Sequence, residues 1–215
     1  MYPTRLLGGR IPLATLVSML QFDGAIAGMG TASGTRLVVG MWPLSPYGSV
    51  TDVMIERADG HRILLAPTQE LADLIAAAYE FDEVRVTPVL RVRDGKKWMV
   101  STDELALTFD VGGRPPLGWL LTSVPRGLAR ARWWTTLQDP IARIAMDGVR
   151  TRGSAGGGRR EWYSAMDLHR INSVSARFDG AELGELQPVT PPVRFGFAST
   201  PEEPSLVRVL SRVSE

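Results

Sequence analysis

The side chains best suited to acid–base chemistry lie between residues 159 and 169. Read as a strand, the odd positions present Arg159, Glu161, Tyr163, Asp167 and His169, and the even ones Trp162, Met166 and Leu168, because side chains alternate between the two faces of a strand. Ser164 and Ala165 are the exceptions to this division. Two carboxyls and an imidazole on one line can shift one another's pKa and hand protons to a substrate, which makes Glu161, Asp167 and His169 the candidate catalytic residues. Arg159, Arg160 and Tyr163 are the candidate ligand-binding residues, since guanidinium and phenol groups suit the polar end of an anionic or amphipathic small molecule. Two other readings of the segment stay open. Its polar face can simply meet water, or the stretch can be a helix that puts Arg159 and the glycines at positions 153 and 156–158 at an anion-binding amino terminus.

A second chemistry is carried by Gly95-Lys96-Lys97-Trp98. A lysine beside another cation has a lowered pKa and can form a Schiff base with a carbonyl substrate, here with Lys97 as the candidate nucleophile. The plainer reading is a pair of solvated lysines just after a turn. Other chemistries are disfavoured. The chain has no cysteine, which removes thiol nucleophiles, thiolate metal sites and disulfides. Its two histidines, His61 and His169, are too few and too far apart for a histidine-rich metal centre. No metal and no cofactor is expected, and His61 falls in an expected turn. There is no Gly-x-Ser-x-Gly elbow. The glycine run at 153–158 lacks both the Gly-Lys-Ser/Thr of a P-loop and the dinucleotide-binding spacing.

These residues have to be held by a sheet. Asp59-Gly60 lies between branched runs at 50–57 and 62–66, and Asp94-Gly95 between runs at 84–93 and 97–101. Asp-Gly in that setting marks a hairpin, because the turn needs positive φ. Further strands are expected at 36–42, 104–111, 193–198 and 205–213, and the stretch from 160 is closed by Asp179-Gly180. Thr68 can cap a helix in which Leu71, Leu74, Ile75 and Ala78 share one face. Two short helices are expected at 128–136 and 141–146, and residues 11–21 fit a short helix or a strand ended by the glycine-rich segment 28–34. The fold class is α+β: a mainly antiparallel sheet, a barrel or strongly curved, with a few covering helices and no βαβ series. At 215 residues the expectation is one domain, with a helical or irregular segment at 1–34 and a β-rich body at 35–215 that carries a glycine-rich loop at 153–158.

Composition bounds the partners. The formal charge is +1, and 22 of the 24 basic residues are arginine, a bias that a GC-rich genome explains. Locally, residues 126–160 hold eight arginines against Asp139 and Asp147, with Trp133-Trp134 among them. Such a stretch can face an anion, yet near-neutral charge and the lack of any recognised reading motif disfavour nucleic acid. The apolar run at 11–20 is interrupted by Gln21 and Asp23 and is too short to span a bilayer, so no membrane association is expected and the localisation expected is cytoplasmic. Nothing indicates an oligomeric state.

The succession of hairpins with a covering helix, followed by Leu183-Gly184-Glu185-Leu186 and Pro191-Pro192-Val193-Arg194, resembles acetoacetate-decarboxylase-like barrels, whose active lysine adjoins another lysine. The resemblance implies a barrel. Arg93-Asp94-Gly95 stands where that family has Gly-Arg-Glu before its lysine pair, so the decarboxylase activity is not carried over. The stretch Gly153-Ser154-Ala155-Gly156-Gly157-Gly158-Arg159-Arg160-Glu161-Trp162-Tyr163, with Pro192-Val193-Arg194-Phe195-Gly196-Phe197, resembles an uncharacterised actinobacterial conserved protein family, which implies an organism group and no reaction. Three functions are expected from these readings: a small-molecule-binding β-barrel, an acid–base or Schiff-base lyase enzyme, or a module for nucleic acid or another polyanion.

Overall fold

Turn chemistry lays out the first half of the chain. The computed structural model describes residues 19–129, 152–154, 160–196 and 198–214. After β1 (Met19–Thr31) and β2 (Arg36–Leu44) come β3 (Val50–Glu56) and β4 (Arg62–Ala66), joined by a turn in which Gly60 has φ +89°. Thr68 caps α1 (Gln69–Ala78) by accepting the Leu71 N–H at 3.3 Å. Leu71, Ala72 and Ile75 bury one face of that helix, at about 1.5–3 kcal/mol for each large side chain. The helix returns the chain to β5 (Glu83–Val86), which pairs with β4 in parallel. The sheet is therefore mixed, with one βαβ unit in an arrangement whose other described pairings are antiparallel. Asp-Gly turns specify only adjacent hairpins, whereas a capped helix between two strands is the crossover a parallel pair needs.

The run expected at 84–93 is two strands, β5 and β6 (Leu90–Asp94), separated by Thr87-Pro88-Val89. Proline has no N–H for a ladder, which explains the break. Gly95, at φ +58°, then turns β6 into β7 (Lys97–Ser101), followed by β8 (Leu105–Val111), α2 (Pro116–Ser123) and α3 (Arg126–Ala129). The remaining elements are β9 (Arg152–Ser154), β10 (Arg160–Phe178), β11 (Ala181–Glu182), β12 (Leu186–Gln187) and β13 (Ser205–Ser214). The choice between strand and helix at 160–171 is thus settled as strand.

The strands run in the order β5-β4-β3-β2-β1-β13-β10-β8-β7-β6. Its two ends, β5 and β6, are only residues 87–89 apart in the chain, so the sheet curls round until its edges are sequence neighbours. Among the described residues these edges do not pair, and the sheet is curved rather than a closed barrel. Inside the curl, Met29, Leu37, Met41, Ile55 and Leu65 from one arm share a core with Leu105, Leu107, Phe109 and Phe178 from the other. The outer face of the first arm is covered by α1, whose Leu71 and Ile75 pack with Phe22, Trp42, Leu64 and Val209. Its other end is covered by the segment 188–196, through Val189, Val193 and Phe195 on Val38.

Three further expectations are corrected. Residues 19–31 form a strand between β2 and β13 instead of a helical or irregular segment, with Gly30 lying directly under the Pro188 carbonyl. A side chain there would collide with that backbone, so the glycine serves a close approach and does not end the strand. Residues 193–196 are not a strand; they lie over the sheet as a strap after Pro191-Pro192, whose missing donors prevent ladder pairing. Residues 116–123 are helical where only 128–136 and 141–146 were expected, and those two segments lie mostly or wholly outside the described residues, as do residues 1–18 and 155–159.

Candidate functional site

A register shift decides which polar residues meet. Antiparallel partners share a face, and Glu161, Tyr163 and Ala165 pair with Val213, Ser211 and Val209 of β13. Between Ala165 and Asp167 the register slips, so Leu168 pairs with Val207 and takes the face of Glu161. Asp167 and His169 now pair with Arg208 and Leu206 and point to the opposite side. The bulge therefore divides the expected polar line into two separate clusters, because one extra residue inverts every side chain after it.

On the outer face Glu161 is 4% exposed. Its Oε2 accepts the Tyr79 hydroxyl at 2.5 Å and its Oε1 the Ser211 hydroxyl at 2.8 Å. The Tyr79 and Tyr163 hydroxyls are hydrogen-bonded to each other, giving a chain from Tyr163 through Tyr79 to the carboxylate. Tyr79 reaches this point because it ends α1 in an extended conformation, its N–H still bonded to the Ile75 carbonyl at 2.9 Å. Gly196 of the strap gives its ring room. A second carboxyl arrives from β3: Asp52, 3% exposed, accepts the Trp42 indole N–H at 2.9 Å. Gly40 lies opposite Asp52 in register, and Gly24 lies beneath the Trp42 ring; a side chain at either would occupy space these groups fill.

Burial shifts every acid in this cluster. It raises the Asp52 carboxyl from 3.8 to about 7, against the Trp42 hydrogen bond and with help from the charge of Glu161. It raises Glu161 as well, against the hydrogen bonds of Tyr79, Tyr163 and Ser211. The two phenols are pushed well above their usual value by burial and by the charge of Glu161. None of the groups that set the titration of Asp52 or Glu161 is a cation. Phe22, edge-on to Trp42 at 5.6 Å and stacked with Tyr47 at 6.2 Å, supplies an aromatic margin.

On the other face, Asp167 receives two hydrogen bonds from Arg114, both 2.8 Å. His169 places Nε2 3.2 Å from Asp167 and Nδ1 3.1 Å from the Gly112 carbonyl. Burial pushes the Asp167 carboxyl up, but the Arg114 hydrogen bonds and the His169 charge hold it below its usual value. Arg114 also lies 5.3 Å over the Trp119 ring. Both imidazole nitrogens are engaged within the fold, so this group ties the 112–114 turn and α2 to β10.

The other expected residues lie elsewhere. Arg160 is exposed, its backbone N–H bonded to the Ser214 hydroxyl at 2.8 Å, and Arg159 is outside the described residues, as is most of the 126–160 arginine stretch. Lys97 is exposed at the start of β7, in register with Asp110 and through it with Ser173, twelve residues down β10 from Glu161. His61 contacts Glu83 at 3.3 Å beside its turn. Sequence reading missed Asp52, Trp42, Tyr79 and Ser211. The glycines at 24 and 40, inside otherwise largely apolar strands, were the available signal that something large packs above them.

No protein-family model and no curated protein matches the chain. Solved structures similar in layout include the two that follow. Acetoacetate decarboxylase from Legionella pneumophila is 7% identical with a TM-score of 0.45, over 91% of this chain and 84% of that one. A candidate AttH protein from Nitrosomonas europaea is 10% identical with a TM-score of 0.35, over 99% of this chain and 58% of that one. No helix among the described residues is long and apolar enough to cross a membrane.

Proposed function

We propose that this chain binds a small amphipathic molecule on the outer face of its curved sheet, with Tyr163 and Tyr79, backed by Glu161, at the polar end and the half-buried Tyr47, stacked on the buried Phe22, at the apolar end. The observation that carries this reading is a buried carboxyl, Glu161, hydrogen-bonded to the Tyr79–Tyr163 pair, with a second buried carboxyl, Asp52, near enough to feel its charge. Desolvating such groups is costly, and groups perturbed in this way concentrate at functional sites. Tyr79 and Tyr163 are half-buried, so a ligand meets hydroxyls whose polarity is set by the carboxylate behind them. A reducing cytoplasm suits a cysteine-free protein of this kind.

The test is an amide NMR titration with short-chain fatty acids, alkylamines and alkyl alcohols. Saturable shifts at residues 161–163 and 211, weakened at least tenfold by Tyr163→Phe, are expected. No saturable shift with any of them, or equal affinity in the variant, would overturn the proposal.

A second reading, an acid–base enzyme, rests on Asp52. A carboxyl titrating near 7 is half-protonated at neutral pH, the condition under which one group both gives and takes a proton. In this reading Asp52 and Glu161 act together, and Asp167 and His169 do not take part. The Schiff-base version through Lys97 is tested by borohydride trapping with keto acids; failure to form an adduct with any of them removes it.

A further inference from the structure

At the far end of the outer face lies an open cleft of about 570 Å³. It is separate from the Glu161 cluster: Glu56, beside it, is four residues along β3 from Asp52, about 13 Å at the rise of a strand. Its floor is Gly30, Thr31 and Arg36, and its wall Gln187, Pro188, Thr190 and Glu202.

Arg36 is the unusual member. It is 3% exposed and forms an ion pair with the fully buried Glu56 at 3.0 Å. Its Nη1 and Nη2 reach the Pro191 and Arg57 carbonyls at 3.4 and 3.3 Å, while its Nε has no hydrogen-bond partner. Glu56 is not Arg36's alone. It also accepts the Arg194 backbone N–H at 2.8 Å and lies 3.3 Å from the Arg194 Nε. One carboxylate thus serves two guanidinium groups, and Arg36, in the lining of the cleft, keeps one buried donor without a partner. Glu202 in the wall, exposed and accepting the Thr190 hydroxyl at 3.3 Å, supplies the opposite sign.

We infer that this cleft binds a small zwitterion of the amino-acid class, its carboxylate turned to Arg36 and its ammonium to Glu202. A planar carboxylate is the acceptor a guanidinium edge suits best. The two charges of the wall select a ligand that carries both signs against a simple acid or a simple amine. This site goes beyond the function proposed above and stands or falls independently of it.

The test titrates the full chain with 2-aminobutyrate, butyrate and butylamine, read at the amide resonances of Gly30, Thr31, Gln187 and Glu202. Saturable shifts with 2-aminobutyrate, at least tenfold weaker with butyrate and butylamine, are expected. Glu202→Gln alters an exposed side chain and leaves the fold intact; it is expected to cost 2-aminobutyrate at least tenfold in affinity and to leave butyrate unchanged. Arg36→Gln is expected to abolish both, and Thr190→Val serves as a milder change in the same wall should that variant not fold. No saturable shift at these four residues, equal binding of all three probes, or indifference to Glu202→Gln overturns the inference. Shifts confined to residues 161–163 would support the other site and overturn this one.

Discussion

Replacing Asp52 by asparagine should remove a pH dependence that the buried carboxyl imposes on folding. Burial raises this group from 3.8 in the open chain to about 7 in the fold. Between those values the folded protein keeps a proton that the unfolded chain has released. Its stabilising contribution is therefore complete below about pH 4 and is lost as pH rises to 7, at roughly 1.4 kcal/mol per pH unit and roughly 4 kcal/mol in all. Asp52 is 3% exposed, so solvent screening removes little of this. Asp82, Glu83 and Asp167 are held below their usual values and act in the opposite sense, but what they contribute is lost only as pH falls through their lowered values, beneath this window. Urea unfolding of the wild type and Asp52→Asn at pH 5, 6, 7 and 8 isolates the term, because Glu161 is present in both. The stability of the wild type relative to the variant should fall by about 2 kcal/mol from pH 5 to 7 and level off by pH 8. Parallel curves would show that Asp52 is not held protonated, and the acid–base reading of the cluster would go with it.

Tyr79→Phe removes the donor to one oxygen of a buried carboxylate and should cost about 1–3 kcal/mol in chemical denaturation, with Glu161 titrating still higher by carboxyl NMR. Gly40→Ala places a methyl group 2.5 Å from the Asp52 carboxylate and 2.7 Å from the Trp42 indole nitrogen; a loss of about 1–3 kcal/mol, together with a changed Trp42 indole resonance, is expected. Thr68→Ala deletes the cap of α1 and should cost about 1 kcal/mol without altering the cluster's titration. Arg114→Gln should raise the Asp167 titration toward that of an ordinary aspartate and destabilise by no more than about 1 kcal/mol, because the Arg114 side chain is about a third exposed.

Much of the fold was legible because its signals are local. The Asp-Gly pairs at 59 and 94 each specify a turn that only positive φ satisfies, and Thr68 with Leu71 and Ile75 specifies a capped amphipathic helix, whatever the rest of the chain does. The parallel return to β5 was not legible, since nothing within 83–86 distinguishes a parallel neighbour from an antiparallel one. The same holds for the strap at 193–196. Val193 and Phe195 are as apolar as any strand residues, and only the surface they cover shows that they pack flat on Val38 without ladder bonds.

The candidate site divides along the same line. Glu161 and Tyr163 were visible because alternation is a local property, and they do share a face. Asp167 and His169 were assigned to that face because alternation was extended past Ala165, where one residue without a partner in β13 reverses it. A bulge is decided by what the neighbouring strand requires: Leu168 has to continue the apolar face above Val207, and its carbonyl has to meet α2 where Gly118 leaves room for it. Asp52, Trp42 and Tyr79 could not be grouped with Glu161 from spacing at all, since they lie 82 to 119 positions upstream of it and come near it only because the curled sheet brings β2, β3, the end of α1 and β10 to one patch. A one-residue slip and a four-element convergence are both tertiary facts. Together they replaced a single acid–base line by a buried carboxyl–phenol cluster on one face and a salt-bridged tie on the other.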